Sequence, residues 1–225
     1  MLNIILETKD IIIVNKPAGQ LSQGAKGFDL DLVSEVMTYN ASQGKPAYAA
    51  IINRLDRPVS GLVLIARNKS AAAKYSTLMQ KEGRFNKQYE ALICGKLSEP
   101  KGTFVDYLKK DGRTNTSAVV PADAAANDKE AKLSKLEYEV ISYDEVKDIT
   151  HVRIHLITGR HHQIRVQFAS RRHPLVGDYK YATADCGMDN AVKAVALKRN
   201  QIALCAVSLT IENETFRVTP EFSIG

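Results

Sequence analysis

The sequence lacks the cysteine patterns that build disulfide frameworks and zinc ribbons. Its 225 residues contain only three cysteines, Cys94, Cys186 and Cys205, which are odd in number and far apart. No C-x-x-C spacing occurs, so neither a disulfide-stapled domain nor a zinc ribbon is expected. Reduced thiols are the simplest interpretation, and they favour a cytoplasmic location.

Long apolar runs are also missing. The N-terminal segment starts apolar, but Glu7, Lys9 and Asp10 interrupt it. This pattern fits neither a signal peptide nor a membrane-spanning helix, so no membrane partner is expected. The sequence also contains no phosphate-binding Gly-rich loop, no G-x-S-x-G, no dinucleotide fingerprint and no H-E-x-x-H.

The chain does carry a moderate excess of positive charge. Lysine and arginine number 31 against 25 aspartates and glutamates, which gives a net charge of +6 and a pI of about 9.1. This balance fits a polyanionic partner, but many basic proteins bind none. The charge therefore carries little weight without a site to go with it.

Apolar periodicity predicts more strands than helices. Strands are expected at residues 2–6, 11–14, 48–52, 62–66, 87–94, 136–142 and 150–157, with a closing hairpin at 202–210 and 215–218. Helices are expected at 30–38, after a cap at Asn68 or Ser70, and at 162–170. Segment 109–135 is less defined, with a surface loop at 121–127. Because strands and helices do not alternate regularly, the predicted class is α+β with a largely antiparallel sheet.

One aspartate lies between two arginines in the connection N-R-L-D-R-P-V-S-G at residues 53–61. The segment joins two predicted strands, and Pro58 biases Arg57 towards an extended conformation. Nearby cations lower the pKa of a carboxylate, so Asp56 would stay ionised as a nucleophile, a base or a metal ligand. A loop aspartate that accepts backbone hydrogen bonds in an Asx-turn is the commoner case. The local residues alone favour that ordinary turn.

A second basic segment is predicted where a strand ends and a helix begins. A Thr-Gly pair turns the chain, and the helix start carries Arg160, His161, His162 and Gln163. A helix N-terminus attracts anions, so Arg160 is well placed to hold a phosphate. Arg165, one turn further on, lies near an apolar face and needs a partner, for which Asp56 would serve. A solvated helix start, with Arg165 reaching the surface, is the alternative.

All five histidines fall between residues 151 and 173, which raises the question of a metal site. His151 and His155 lie on a predicted strand, so the helical i, i+4 geometry of a metallopeptidase is missing. No metal is therefore expected. The arginines that accompany the histidines suggest a basic surface for a polyanion instead.

Tyr89 lies on the predicted strand 87–94. From there its ring could stack on a nucleic-acid base. A cross-strand aromatic contact within the sheet is the alternative that this segment favours when it is considered alone.

The order of five motifs closely resembles that of the RluA-type pseudouridine synthases. The motifs are N-K-P-A-G, R-L-D-x-x-x-S-G, K-x-Y-x-A-x-x-x-G, T-G-R-x-H-Q-I-R and H-P-L-V-G-D-x-x-Y. The resemblance implies isomerisation of uridine in RNA to pseudouridine, without cofactor or metal. It also implies a mixed, mainly antiparallel curved sheet flanked by helices, with a catalytic cleft across its middle. Residues 1–225 are expected to form a single catalytic domain without the N-terminal S4 RNA-binding domain of some relatives, because the first predicted strand begins at once.

The resemblance also assigns roles to residues. Asp56 matches the essential aspartate, Tyr89 the tyrosine that stacks on the flipped uracil, and Arg165 the arginine that pairs with the aspartate. Arg54 would occupy the space left by the flipped nucleotide. Whether Asp56 acts as a nucleophile or as a base is left open. Other RNA contacts are expected from Lys16, Arg57, Arg160, His162, Gln163, Arg171 and Arg172.

The expected partner is ribosomal or transfer RNA, and the expected oligomeric state is a monomer. Five positions depart from the common pattern of the family, namely Asn53, Val59, His161, Ala182 and Cys205. None of them replaces a residue with a predicted catalytic role, so the departures bear on the choice of RNA. Two alternatives are an RNA-binding protein of the same fold without catalysis and a metal-dependent hydrolase built on the histidines.

Overall fold

A computed structural model describes residues 2–24, 30–80, 84–182, 184, 186–198 and 200–224. The strands of this part of the chain are β1 (Ile4–Glu7), β2 (Ile11–Lys16), β3 (Ala50–Ile51), β4 (Ser60–Ala66), β5 (Phe85–Cys94), β6 (Lys101–Asp111), β7 (Thr116–Val120), β8 (Lys132–Asp144), β9 (Ile149–Leu156), β10 (Leu204–Ile211) and β11 (Glu214–Arg217). The helices are α1 (Leu32–Ser42), α2 (Lys69–Gln80), α3 (Ala122–Ala125), α4 (Gln163–Ala169) and α5 (Met188–Val195). The predicted α+β class is therefore confirmed.

The chain divides into two compact units. The first contains residues 1–87 and 205–220, and the second contains residues 88–204 and 221–225. The single domain expected from the sequence stays a prediction. None of the helices in the described ranges is long and apolar enough to cross a membrane.

The first unit is built on the mixed strand order β1-β2-β4-β10-β11, with β3 also paired to β4. Only the β4–β10 pairing is parallel among these. Every residue of β4 is buried, as its continuous apolar sequence predicts for a strand covered on both faces. Helix α2 begins after Asn68, whose Oδ1 accepts a hydrogen bond of 2.8 Å from the Ala71 N–H, so Asn68 rather than Ser70 is the cap.

The core of this unit lies between the sheet and helix α2. Alternate side chains of β2 and β4 contribute, with partners from α2 and β10. The cluster consists of Ile11, Ile13, Ile52, Leu62, Leu64, Ala66, Ala71, Leu78, Phe85, Leu209 and Ile211. It anchors the strand β4, at whose start the predicted catalytic loop ends.

The second unit has the antiparallel order β5-β9-β8-β6-β7. Even-numbered residues of β9 are buried, and His151, Arg153 and His155 share the other face, as predicted from the alternation. On the buried side, Phe104, Tyr138 and Phe168 form an aromatic cluster with ring centroids 4.9–5.9 Å apart. Helix α4 packs against the sheet through Phe168.

The structure differs from the sequence-based prediction mainly between residues 100 and 200. The long hairpin of β6 and β7 and the helix α5 were not predicted. The expected surface loop at 121–127 is wrong in part, because the alanines after Pro121 form the short helix α3. Pro is well suited to a position just before a helix, and alanine has the highest helix propensity. Strand β3 covers only two of the five residues expected.

Candidate active site

The loop that carries Asp56 connects β3 to β4 and is tied to β4 by a buried asparagine. The amide Nδ2 of Asn53 donates to the Leu62 carbonyl at 3.1 Å, and its Oδ1 accepts from the Leu64 N–H at 2.8 Å. After the aspartate, the Val59 N–H donates to the Asp56 carbonyl at 3.1 Å and closes a turn. Asp56 itself is half-buried. The loop is therefore held on both sides of its carboxylate.

Ser22 fixes the residue that precedes Asp56. Its buried hydroxyl donates to the Leu55 carbonyl at 2.6 Å and accepts from the Leu55 N–H at 3.2 Å. One side chain thus satisfies both backbone groups of Leu55. This reciprocal pair limits how far the peptide next to Asp56 can rotate.

Lys16 lies inside this unit, and its side chain is fully buried. The ammonium donates to the carbonyls of Pro17 at 2.8 Å, Gln20 at 2.9 Å and Arg57 at 3.4 Å. Burial lowers the pKa of Lys16 to about 8, and the Asp56 carboxylate opposes this shift. A buried ammonium cannot reach a phosphate, so the predicted RNA contact of Lys16 does not fit this conformation.

Two further hydrogen bonds connect the N-K-P-A-G segment to the Asp56 loop. The Gly19 N–H donates to the Arg57 carbonyl at 2.7 Å, and Arg57 Nε donates to the Gly19 carbonyl at 2.9 Å. Arg57 and Arg54 are both exposed residues. The roles expected of them, Arg57 at the phosphate backbone and Arg54 in the space of the flipped nucleotide, stay predictions.

Tyr89 lies in the second unit, in the middle of β5. Its backbone pairs with Ile154 of β9, and its side chain is 5% exposed. The tyrosine thus belongs to the sheet, as the local pattern indicated. Stacking on a base stays a prediction.

Arg165 is a buried residue of helix α4. Its Nε donates to Oδ2 of Asp178 at 2.7 Å, and its Nη2 donates to Oδ1 at 2.8 Å. The side chains of the two residues are 6% and 2% exposed. The expectation that Arg165 needs an acidic partner is met by Asp178. Its pairing with Asp56 stays a prediction.

Tyr181 lies beside this ion pair. The Arg165 Cζ atom is 5.2 Å from the centroid of the Tyr181 ring, within range of a cation–π contact. The Tyr181 hydroxyl accepts from the Ser117 N–H at 2.9 Å and shares a hydrogen bond of 2.6 Å with His162 Nδ1. Sequence reasoning assigned no role to Asp178 or Tyr181. The motif H-P-L-V-G-D-x-x-Y, which contains both, was the available signal.

The side chain of Gln163, the first residue of helix α4, forms hydrogen bonds around the start of this helix. The Gln163 Oε1 accepts from the Arg160 N–H at 3.0 Å and from the Thr158 hydroxyl at 2.8 Å, while Nε2 donates to Gln167 Oε1 at 3.0 Å. Gln163 and His162 are buried, so their predicted contacts with RNA do not fit this conformation. Arg160 is exposed, and its Nε donates to the Leu133 carbonyl at 3.0 Å.

The remaining two predicted RNA contacts differ in their surroundings. Arg171 donates to both carboxylate oxygens of Asp106, at 2.9 and 3.1 Å, and lies 4.0 Å from the Phe104 ring centroid. Arg172 is exposed. Of the arginines predicted to contact RNA, Arg54, Arg57, Arg160 and Arg172 are exposed.

The histidines are dispersed over the second unit. His151 Nε2 lies 3.2 Å from Glu90, His155 Nδ1 lies 3.4 Å from Glu137, and the His161 and His162 rings stack at 3.8 Å. His173 Nδ1 lies 3.0 Å from the Cys94 carbonyl. Within the described ranges, no group of three or more His, Cys, Asp or Glu side chains is arranged to hold a metal ion.

The fold and the site together define a class of protein. It is an α+β protein that presents a half-buried carboxylate on a strand connection held by hydrogen bonds, with exposed arginines on the same loop. A family model described as RNA pseudouridylate synthase matches residues 10–170. The chain therefore belongs to that family, and the resemblance deduced from its motifs is confirmed.

Relatives with curated names are similar over most of this chain. A ribosomal large subunit pseudouridine synthase D of Buchnera aphidicola is 33% identical over 182 residues, which cover 80% of this chain and 55% of that protein. An uncharacterized RNA pseudouridine synthase of Aquifex aeolicus is 33% identical over 188 residues, covering 80% and 56%. The chain thus spans about half the length of the curated relatives it matches.

Solved structures support the same fold. The human RNA pseudouridylate synthase domain containing 1 superposes with a TM-score of 0.74 at 25% identity, covering 98% of this chain and 84% of that one. The human RNA pseudouridylate synthase domain containing 4 gives 0.75 at 19% identity, covering 97% and 88%. The second similarity bears on the fold alone.

Proposed function

We propose that this protein is an RNA pseudouridine synthase, an isomerase in which Asp56 is the catalytic residue. The observation that carries the proposal is the Asp56 loop. It lies inside the segment that matches the family, and hydrogen bonds from Asn53, Ser22 and Lys16 hold it in place. Such anchoring is what a catalytic carboxylate needs, because small misplacements of a reacting group cost large factors in rate.

The proposed reaction begins with a uridine that is flipped out of the RNA or already unpaired. Asp56 acts on this nucleotide either as a nucleophile or as a base. The bond between C1′ and N1 breaks, the uracil rotates, and C1′ bonds to C5. The proton on C5 leaves and N1 gains one, so the reaction is an isomerisation that needs neither oxidant nor reductant.

Six further residues have a role in the proposal. Arg165 pairs with Asp56 and keeps it ionised, because a neighbouring cation lowers the pKa of a carboxylate. Tyr89 stacks on the flipped uracil. Arg54 enters the space that the nucleotide has left, and Arg57, Arg160 and Arg172 contact the phosphate backbone.

Ribosomal RNA is the substrate that we propose to test first, and transfer RNA the second. Several of the curated relatives are named as synthases of the large ribosomal subunit. Because the chain spans about half of their length, the target cannot simply be transferred from them. The proposal includes a monomer in the cytoplasm that works without a metal or cofactor.

The decisive experiment replaces Asp56 with asparagine. Asp56→Asn keeps the size of the side chain and removes its charge, so we expect pseudouridine formation to fall at least about 1,000-fold, while RNA binding stays within about threefold of wild type. Pseudouridine is measured in total RNA from a strain that lacks the gene, after incubation with the purified protein.

The matched control is Glu212→Gln, which removes an exposed carboxylate of the same unit. It should leave the rate unchanged. If Asp56→Asn turned over normally, the assignment of Asp56 would be wrong. If the wild-type protein bound RNA but formed no pseudouridine, the alternative of a binding protein without catalysis would replace the proposal.

A further inference from the structure

The guanidinium of Arg165 is bound by the carboxylate of Asp178. The two hydrogen bonds to Asp178, at 2.7 and 2.8 Å, are parallel and bidentate. Such a contact fixes the orientation of the planar guanidinium as well as its position. The contact involves Nε and Nη2. Asp178 therefore fixes the orientation of the guanidinium as a whole.

A buried ion pair is a weak source of stability, because desolvating two charges offsets most of their attraction. The side chains of Arg165 and Asp178 are nevertheless almost completely buried. Replacing such a pair by well-packed apolar residues of similar volume is often neutral or stabilising. The geometry of the pair, rather than its stability, is therefore the feature to explain.

Tyr181 confines the guanidinium from a second direction. Its ring centroid lies 5.2 Å from Arg165 Cζ, and the His162 ring meets the Tyr181 ring edge-on at 5.6 Å. The hydroxyl is bound to the Ser117 N–H of strand β7 and to His162 Nδ1, just before helix α4. The ring is thus fixed by contacts to two other elements and not by its own segment alone.

Asp178 and Tyr181 belong to a single turn. The Asp178 carbonyl accepts hydrogen bonds from the Tyr181 N–H at 3.2 Å and from the Ala182 N–H at 3.1 Å. The Asp178 N–H donates to the Leu175 carbonyl at 3.0 Å. The turn therefore presents the carboxylate and the ring to Arg165 as one unit.

We propose that Asp178 and Tyr181 are positioning residues, which fix the orientation of the Arg165 guanidinium for its proposed role towards the catalytic carboxylate. The inference rests on the proposed function, in which Arg165 pairs with Asp56. The two residues act through Arg165 and do not touch the nucleotide. Their loss should slow the chemical step and leave the binding of RNA largely unchanged.

Two substitutions separate the two contacts. Asp178→Asn keeps the shape of the side chain, but its amide can accept from only one nitrogen of the guanidinium and directs an NH2 group at the other. Tyr181→Phe keeps the ring and removes only the hydroxyl that Ser117 and His162 hold. We expect kcat to fall about 10- to 100-fold for Asp178→Asn and about 3- to 10-fold for Tyr181→Phe, because misplacing a group by about 1 Å costs on the order of 100-fold.

The assay follows tritium released from C5 when RNA labelled with 5-³H-uridine, prepared from a strain that lacks the gene, is incubated with the intact protein. We expect KM for this RNA to stay within about twofold of wild type in both variants. Asp178→Glu, which restores the carboxylate, should recover part of kcat. Asp189→Asn is the matched control, since this exposed carboxylate contacts the Tyr179 hydroxyl and not Arg165.

A double variant distinguishes positioning from general damage. In an Arg165→Lys background the bidentate contact is already lost, so adding Asp178→Asn should change kcat by less than about twofold. Losses that multiply, a kcat that is unchanged in both single variants, or an effect confined to KM would overturn the inference. If Asp178→Asn does not fold, Tyr181→Phe decides the question in the same way. Tritium release that is absent with wild-type protein would instead remove the proposed function, and this inference with it.

Discussion

At the scale of single residues, Lys16 has an environment that is unusual for a lysine. Lysine usually lies at the surface, yet this one is fully buried and its ammonium is bound to three backbone carbonyls. One of these carbonyls belongs to Arg57, the residue after Asp56. Lys16 therefore connects the N-K-P-A-G segment to the candidate catalytic loop as a crosslink made of hydrogen bonds.

Replacing this residue tests the crosslink. Lys16→Met keeps most of the side-chain volume but leaves the carbonyls of Pro17, Gln20 and Arg57 without their donor. We expect the free energy of unfolding at pH 7 to fall by about 1–3 kcal/mol, since a buried acceptor that loses its partner costs about that much. Urea unfolding measures the change. Lys74→Met, at an exposed position of α2, is the control and should stay within about 0.5 kcal/mol.

The lowered pKa of Lys16 predicts how the free energy of unfolding depends on pH. Burial lowers its pKa in the folded protein from 10.5 to about 8. Below about pH 8 both the folded and the unfolded chain hold the proton, and the contribution to stability is constant. Between about pH 8 and 10.5 the unfolded chain binds more protons, so the stability of the folded state rises with pH.

Urea unfolding of wild type and Lys16→Met at about pH 7.5 and pH 9.5 checks the sign. The difference in free energy of unfolding should shift in favour of wild type at the higher pH. A difference that stays constant, or that shifts towards the variant, would show that the ammonium is not penalised by burial.

Among the secondary-structure elements, strand β4 shows why the Asp56 loop ends where it does. Gly61, the second residue of the strand, has a φ of +118° and lies against the backbone of Ala206 in β10. A Cβ at this position would overlap that backbone. The parallel pairing of β4 with β10 at Ser60 and Gly61 therefore requires glycine.

Gly61→Ala should destabilise the first unit by about 2–5 kcal/mol, because backbone strain and a steric overlap add. Gly44→Ala is the matched control. Gly44 also has a positive φ, of +68°, but nothing lies within 4 Å of the added Cβ, so only about 1 kcal/mol is expected. Equal losses in urea unfolding of the two variants would show that the contact with Ala206 is not limiting.

At the scale of the whole molecule, the net charge is +6, and exposed arginines of both units contribute to it. RNA binding should weaken as salt rises, because each neutralised phosphate releases a counterion. Arg172→Gln should reduce the slope of log K against log salt by about 1, because Arg172 is exposed and is a proposed phosphate contact. The control Lys74→Gln should leave it unchanged, and filter binding between about 50 and 300 mM salt measures both. Identical slopes for wild type and Arg172→Gln would exclude a phosphate contact at Arg172.

Much of the architecture could be predicted from local patterns. The buried strand β4, the alternation in β9 and the closing hairpin of β10 and β11 are apolar or alternating in sequence, and they form as expected. The hairpin of β6 and β7 was missed because three of the eleven residues of β6 are lysines and few side chains of the two strands are buried, so the apolar alternation is weak. Helix α5 was missed because its N-cap residue is Gly187, which has no side chain to signal the start of a helix.

Asp56, Tyr89 and Arg165 could be proposed from sequence because each lies in a short motif with a characteristic order. The family itself was determined in the same way. For Arg165 the sequence suggested Asp56 as the partner. Its contact with Asp178 was not predicted, because that contact depends on a turn that brings the 178–182 segment against helix α4.

The sequence by itself determined the α+β class and the family, since both depend on periodicity and on linear motifs. Only the tertiary structure decided which charged and polar side chains are buried. Lys16, His162 and Gln163 are residue types that usually lie at the surface, but here they are buried. Lys16 and Gln163 bind backbone groups that need hydrogen-bond partners, and His162 shares a hydrogen bond with the Tyr181 hydroxyl. Burial depends on how segments pack against each other. The sequence alone does not distinguish a lysine or histidine that contacts water or RNA from one that contacts a backbone carbonyl.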